Sequence, residues 1–572
     1  MTTPPPSATP TATATAEPVR TAELHLPDGP TGVLAQPDAP ARALAASQTY
    51  YASAPVAVLA PADDVAAQVR AAAVAVAVGA PLLLSGADEA VSAELTRLGT
   101  LAVVTVGPVD IDTDDVPVIE ASEDDEELAA QLRVSWTPVP LPAAGAELAA
   151  VQVLDRAAPT LPSAAASAPG EAPPTESKPT ESKPTAPEPT EPTPSTPTSA
   201  RPTAGSSPSP SASPTGEADT SSLPLTEMPD ALVGGLLLTT GDPGDLASVA
   251  TARSAGVPVL TVPSGDPRTD SATVQAFAAA APTNVTGLGA TFGDPDTLAW
   301  KTATAATGVE LPGGGQLVLT GRRYVAMYGT PSYPALGILG EQDLPSSIAR
   351  AQGLAASYQP LTTDLVVPAF EIIATVASAG AGGDGNYSNE LPLETLVPWV
   401  EAAAAAGVYV VIDLQPGRTD FVTQAQLYEP LLKYPNVGLA LDPEWRLLPD
   451  QVHLRQIGSV TVDEVNAVAA YLAQLTRTHA LPQKLFVLHQ FKHSMVQGRE
   501  RVDMSHPELA VMVHVDGQGG QGAKAGTWAS LQQGAPAGMA WGWKNFIDED
   551  VPMLTPEQTY TVTPVPHLVS YQ

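Results

Sequence analysis

The chain contains no cysteine, which excludes disulfides, thiolate-metal sites and cysteine nucleophiles. Aromatic residues are scarce, at 5% of the chain, and basic residues are outnumbered, 26 Lys and Arg against 61 Asp and Glu. The resulting formal charge of −35 repels phosphate backbones, so no nucleic-acid partner is expected. Much of the acid is dispersed over solvated faces and serves solubility. No run approaches the roughly 18–20 continuous apolar residues of a membrane-spanning helix, so no transmembrane segment is expected. The opening MTTPPPSATPTATATAEP lacks the basic and apolar regions of a signal peptide, which taken literally reads as cytoplasmic. A Thr/Pro/Ala stretch of this kind also reads as the stalk behind a removed signal or lipoprotein anchor, and that is the expectation here: an extracellular chain, on the cell wall or outer membrane face.

What the chain has in quantity is length, 572 residues, and proline, 61 of them. A single core stops growing near roughly 250–300 residues, so several domains are required. The clearest boundary is 159–222, with PTESKPTESKPTAPEPTEPTPSTPTSARPTAGSSPSPSASP. Such a run cannot bury enough apolar surface to offset chain entropy and predicts a disordered spacer. The remaining divisions are a low-complexity leader (1–40), an α/β half-module (41–158), a second half-module (223–313) and a C-terminal domain (314–572).

In the first half-module VAVLA, PLLLS and LAVVTVG read as strands, and an Ala-rich helix ending at Gly79 and a helix over Asp88–Leu98 lie between them. After the spacer VGGLLLTT, VPVLTVP and NVTGLGA repeat the order, which predicts a duplicated parallel, Rossmann-like module. The glycines in 241–244 and 313–315 lack GxGxxG spacing behind a strand, so no dinucleotide site is expected. The stretch Val56–Gly107, with GAPLLLS, ELTRLG and VVTVGP in order, resembles the type 2 cell-wall-binding repeat of actinobacteria and clostridia. That resemblance implies wall-polymer binding; a spacer domain that binds nothing is the alternative.

From Arg323 the texture changes: aromatics appear, and seven of the eight histidines lie beyond residue 450. Seven apolar runs, beginning at Tyr324, Asp364, Val408, Val437, Lys484, Leu509 and Gly538, alternate with helical segments. This predicts a (βα)7–8 TIM-like barrel, with an open doubly wound sheet as the alternative. Nearly every run ends in a reactive group: Tyr328, Glu371, Asp413, Asp442 with Glu444, His489, His514 with Asp516, and Trp541 with Trp543 beside Lys544. In parallel barrels that edge is where active sites are built. Plainer roles exist for several of them: Asp413 as a helix cap, His489 as a core histidine, and the tryptophans as packing. The segments VVPAFEIIATVASA, VYVVIDLQPGRTDF, VGLALDPEWRL, LHQF and WGWKNFIDED resemble a family of exported actinobacterial proteins with a glycosidase-like barrel, which implies export and fold more than a reaction.

Glycoside hydrolysis needs a proton donor and a second carboxylate, about 5–5.5 Å away for retention or about 6.5–9.5 Å for inversion. Glu444, followed by Trp445, is the expected acid, with Asp442 and one of Glu371, Asp413 or Asp516 as partner. Asp442 is expected to raise the pKa of Glu444 by like charge. Tyr328, His489, His514, Trp445, Trp541, Trp543 and Lys544 are the expected contacts to a cell-wall polysaccharide or other envelope glycan. No cofactor and no metal are expected, since HxxxH in HQFKHSM and HxD in VHVD are partial signatures and HExxH is absent. A metal hydrolase using His489, His493, His514 and Asp516, and a barrel that binds glycan without catalysis, are the other classes.

Overall fold

The computed structural model describes residues 18–111, 113, 116–164 and 223–572. Most of the expected spacer, 165–222, and the first 17 residues of the expected leader lie outside the described residues.

The N-terminal region holds two four-stranded sheets, both wholly parallel. Their strands in chain order are β1 (Thr31–Leu34), β2 (Val56–Ala60), β3 (Leu82–Leu84), β4 (Ala102–Thr105), β5 (Val118–Glu120), β6 (Gly235–Thr239), β7 (Val259–Thr261) and β8 (Asn284–Leu288). The first sheet runs β3-β2-β4-β5 and the second β7-β6-β8-β1. The winding is the same, but the second sheet takes its fourth strand from the chain's beginning, where Thr31 pairs with Val285 and Leu34 with Leu288. Even the following helix is repeated: β5 leads to Asp125–Leu132 capped by Asp124, and β1 to Ala39–Tyr50 capped by Asp38. The duplication is thus complete but cyclically permuted. An ordered strand therefore lies within 1–40, where the sequence suggested only a leader.

The helix over Val65–Val78 starts where Asp64 accepts the Ala67 N–H and stops at Gly79, whose φ of 67° suits glycine. Beyond Arg70 it consists of Ala and Val alone, and both halves bury that stretch. The helix over Leu246–Ser254 packs beside it: Thr251 Oγ1 takes the Leu82 N–H at 3.0 Å, and Tyr51 and Ser254 share a hydrogen bond of 2.7 Å. One core thus serves both halves.

The C-terminal domain is a closed barrel of eight parallel strands: β9 (Arg322–Gly329), β10 (Leu365–Ala377), β11 (Tyr409–Leu414), β12 (Val437–Leu441), β13 (Lys484–Gln490), β14 (Leu509–Val515), β15 (Ala540–Asn545) and β16 (Leu568–Tyr571). Closure comes from β9, which pairs with β10 on one side and β16 on the other. Seven of these strands correspond to the apolar runs in the sequence; the eighth, LVSY, is short and follows prolines. Residues alternate between an outer core under the helices, with Val325, Phe370, Ile412 and Leu488, and an inner core, with Tyr324, Ala369, Val411, Val487 and Met512. Burying each larger apolar side chain contributes about 1.5–3 kcal/mol. Leu311 and Val318 close the barrel base, and Tyr324 donates to the Val318 carbonyl at 2.9 Å. The module and barrel meet where Trp300 lies between Arg268 and Arg477, 4.3 and 4.9 Å from its ring centre. No helix among the described residues is long and apolar enough to cross a membrane.

Candidate active site

Continuing the inner alternation by two residues on each strand reaches the carboxyl-terminal layer of the barrel. There the apolar pattern stops: β9 presents Tyr328, β10 Glu371, β11 Asp413, β13 His489, β14 His514, β15 Lys544 and β16 Ser570, while Asp442 and Asp516 follow directly on β12 and β14. All are buried, Glu371, Asp413, His489 and His514 completely.

His489 bridges two carboxylates, with Nε2 2.9 Å from Glu371 Oε1 and Nδ1 3.2 Å from Asp516 Oδ2. Burial works against a charged imidazole, but Glu371 and Asp413 outweigh it and hold His489 well above the ordinary histidine range. Conversely, burial would raise Glu371, and the imidazoles of His514 and His489 keep it below the ordinary range. Asp516 is kept low against burial by its bond to His489. His514 is pushed down by burial. Its Nε2 lies 3.0 Å from Ser570 Oγ, and its Nδ1 faces Glu371 Oε1 at 3.4 Å without the alignment of a hydrogen bond. The groups able to hold a metal are accordingly Glu371, His489 and His514. His493 is not among them; it lies in an exposed turn on the Ser530 carbonyl, so the HxxxH pattern does not converge.

On the opposite side Tyr328 donates to Asp413 Oδ2 at 2.7 Å, and Lys544 Nζ sits 3.4 Å from the centre of the Tyr328 ring. Burial, aided by the charge of Glu371 and opposed by His489, lifts Asp413 to about 6. Asp442 is raised further by burial and by Glu444. Glu444 is pushed up to about 7, first by burial and then by Asp516. Asp442 and Glu444 are thus both raised, Asp442 by burial and then by Glu444, and the first charge that raises Glu444 is that of Asp516.

Glu444 is carried not on the strand but on a tight turn, Pro443–Trp445, just beyond it. The returning loop fixes this turn, since the Gly458 N–H bonds the Glu444 carbonyl at 2.7 Å. A Cβ on Gly458 would lie 2.4–2.7 Å from the carbonyls of Arg446, Glu444 and Pro443, so only glycine fits. Arg446, paired with Glu464 at 3.0 Å, anchors the turn from outside. Trp445 meets His453 edge-on at 5.2 Å, and His453 meets Tyr387 at 6.2 Å. This half-buried aromatic edge includes two residues that the sequence did not single out, Tyr387 and His453. Ser570 and Gln415, whose amide lies 3.5 Å from Asp442, were missed as well; in the sequence Ser570 sits in the strand that itself escaped notice.

Trp541 and Trp543 do not line the mouth. They project outward and pack on Trp528 of the Gln521–Gln532 helix, at 6.0 and 5.4 Å. Lys544 and Trp543 are adjacent on one strand and must take opposite faces, so the inward lysine sends the tryptophan out.

No family model matches the chain, and no curated protein matches it. Among solved structures, Cwp6 and Cwp8 from Clostridium difficile each align at 12% identity. Cwp6 covers 81% of this chain with a TM-score of 0.30, and Cwp8 covers 49% with a TM-score of 0.28. The chain spans 63% and 52% of their respective lengths. Likeness this weak carries no argument about the site.

Proposed function

We propose that the barrel hydrolyses a glycosidic bond in a bacterial envelope glycan, with Glu444 as general acid. The observation that carries this reading is the gathering of Glu444 with the buried Asp413, Asp442 and Asp516 at the carboxyl edge of the barrel, where burial and Asp516 push Glu444 up to about 7 and Asp516 itself is held low. Such a pair divides the labour that glycoside hydrolysis requires: one carboxyl retains a proton at neutral pH for the leaving oxygen, and one stays anionic. Tyr328, Lys544 and Trp445 are the proposed sugar contacts. Trp541 and Trp543 are not, since both face the helices. The reading that the module retains the chain on wall polymer, and hence outside the membrane, is supported by the likeness of Val56–Gly107 to cell-wall-binding repeats.

The test is incubation of the full chain with bacterial wall fractions and mass analysis of released oligosaccharides. Glu444→Gln keeps shape and hydrogen bonding but removes the transferable proton, so release falls by about 10²-fold or more while the melting temperature holds. Undiminished release by Glu444→Gln refutes the assignment.

A further inference from the structure

We infer that Glu371, His489 and His514 form a binding site for one divalent transition-metal ion. Their ligand atoms, one carboxylate oxygen and two ring nitrogens, lie within 4.8 Å of one another on the buried floor of the barrel mouth. Glu371 Oε1 is 2.9 Å from His489 Nε2 and 3.4 Å from His514 Nδ1. Around a tetrahedral ion with bonds of about 2.0–2.2 Å, ligand atoms are spaced by roughly 3.4 Å, so small shifts suffice to admit it.

The outer nitrogens strengthen the case. A metal-binding imidazole donates its other N–H to a fixed acceptor, and this sets the tautomer. His489 holds Asp516 Oδ2 through Nδ1 at 3.2 Å, so that loss of the proton on Nε2 would free that nitrogen toward Glu371 for a metal. His514 offers Nε2 to Ser570 Oγ at 3.0 Å, which leaves the Nδ1 lone pair facing the same carboxylate. A metal ion would take the place of the proton that His489 Nε2 shares with Glu371 Oε1. His514 Nδ1 and Glu371 Oε2 are buried without a hydrogen-bond partner, a costly state that a metal relieves. Two imidazoles and one carboxylate, with no thiolate, favour zinc or its neighbours over calcium or magnesium, and a further coordination position stays open for water or substrate. Among the described residues no other such group is found. Asp516, which the sequence suggested as a ligand, becomes the residue that orients one.

The inference goes beyond the acid assignment, since Glu444 is not a ligand and metal content is measured without any glycan. The full chain is stripped with a chelator, incubated with Zn(II) or Co(II) alone, dialysed, and its metal counted by mass spectrometry. The unmodified chain retains one equivalent, and Co(II) gives the visible absorption of a low-coordinate nitrogen/oxygen site. Glu371→Gln and His514→Gln lose the ion, Asp516→Asn weakens it by about 10–100-fold, and Glu444→Gln retains it. If a ligand variant fails to fold, the Co(II) spectrum of the unmodified chain and the rise of its melting temperature with zinc decide the matter. Failure of the unmodified chain to retain stoichiometric metal overturns the inference, as does equal retention by folded His514→Gln.

Discussion

The barrel and the module are both built of parallel strands with connecting helices, yet their carboxyl edges differ. In the barrel, inner positions switch at that edge from Ala, Val and Met to Glu, Asp, His and Lys. In the module, seven of the eight strands end in Leu34, Ala60, Leu84, Thr105, Thr239, Thr261 and Leu288, and only the edge strand β5 ends in a charged residue, Glu120. The second sheet's edge is closed by Arg42, 3.0 Å from Asp245, which also accepts a hydrogen bond of 2.6 Å from Thr239. The first sheet's edge opens instead on a cleft of about 1140 Å³ between the strand ends and the loops near Asp64, Gly107 and Ser122. The same architecture thus offers a reactive layer in one region and a shape in the other. The proposed catalysis draws on the first and the proposed retention on the second.

The largest effect that sharpens this comparison is expected from removing residues 1–37. This deletes β1 and exposes β8 as an unpaired edge, so the module loses its cooperative calorimetric transition while that of the barrel persists. An unchanged module transition after the deletion would contradict the permuted pairing.

A smaller effect separates packing from chemistry within the barrel. Trp541→Ala empties a buried site against Trp528 and costs about 3–5 kcal/mol in denaturant unfolding, with KM little changed. A raised KM at unaltered stability would instead restore Trp541 to the mouth. The smallest change is Tyr328→Phe, which deprives the buried Asp413 of its 2.7 Å donor. A loss of about 1–3 kcal/mol is expected, with reduced turnover; wild-type stability and rate together would show that the hydroxyl is dispensable.

The barrel was legible because long apolar runs punctuated by turns leave few other folds, and because reactive residues recur at the same end of each run. β16 was not legible: four residues behind TVTPVPH carry too little pattern. β1 escaped for another reason, that its partner β8 lies far away in sequence and only the closed sheet shows the pairing. The orientation of Trp543 was available from strand alternation with Lys544 but was overridden by the attraction of an aromatic beside carboxylates. Of the proposed metal ligands the sequence offered His489 and His514 but not Glu371, which stands 118 positions before His489. The upward shift of the Asp442 carboxyl depends on burial by neighbouring strands, which no local motif encodes.

The central claim, that Glu444 delivers the proton, is tested most directly by the pH dependence of kcat/KM. The acid must be protonated to act, and its carboxyl is raised from 4.5 to about 7, so activity falls as pH rises through about 7, by about tenfold per unit above it. In Glu444→Gln the residual activity should have lost this limb. A limb near 7 that survives in Glu444→Gln would assign the proton to another group and contradict the account.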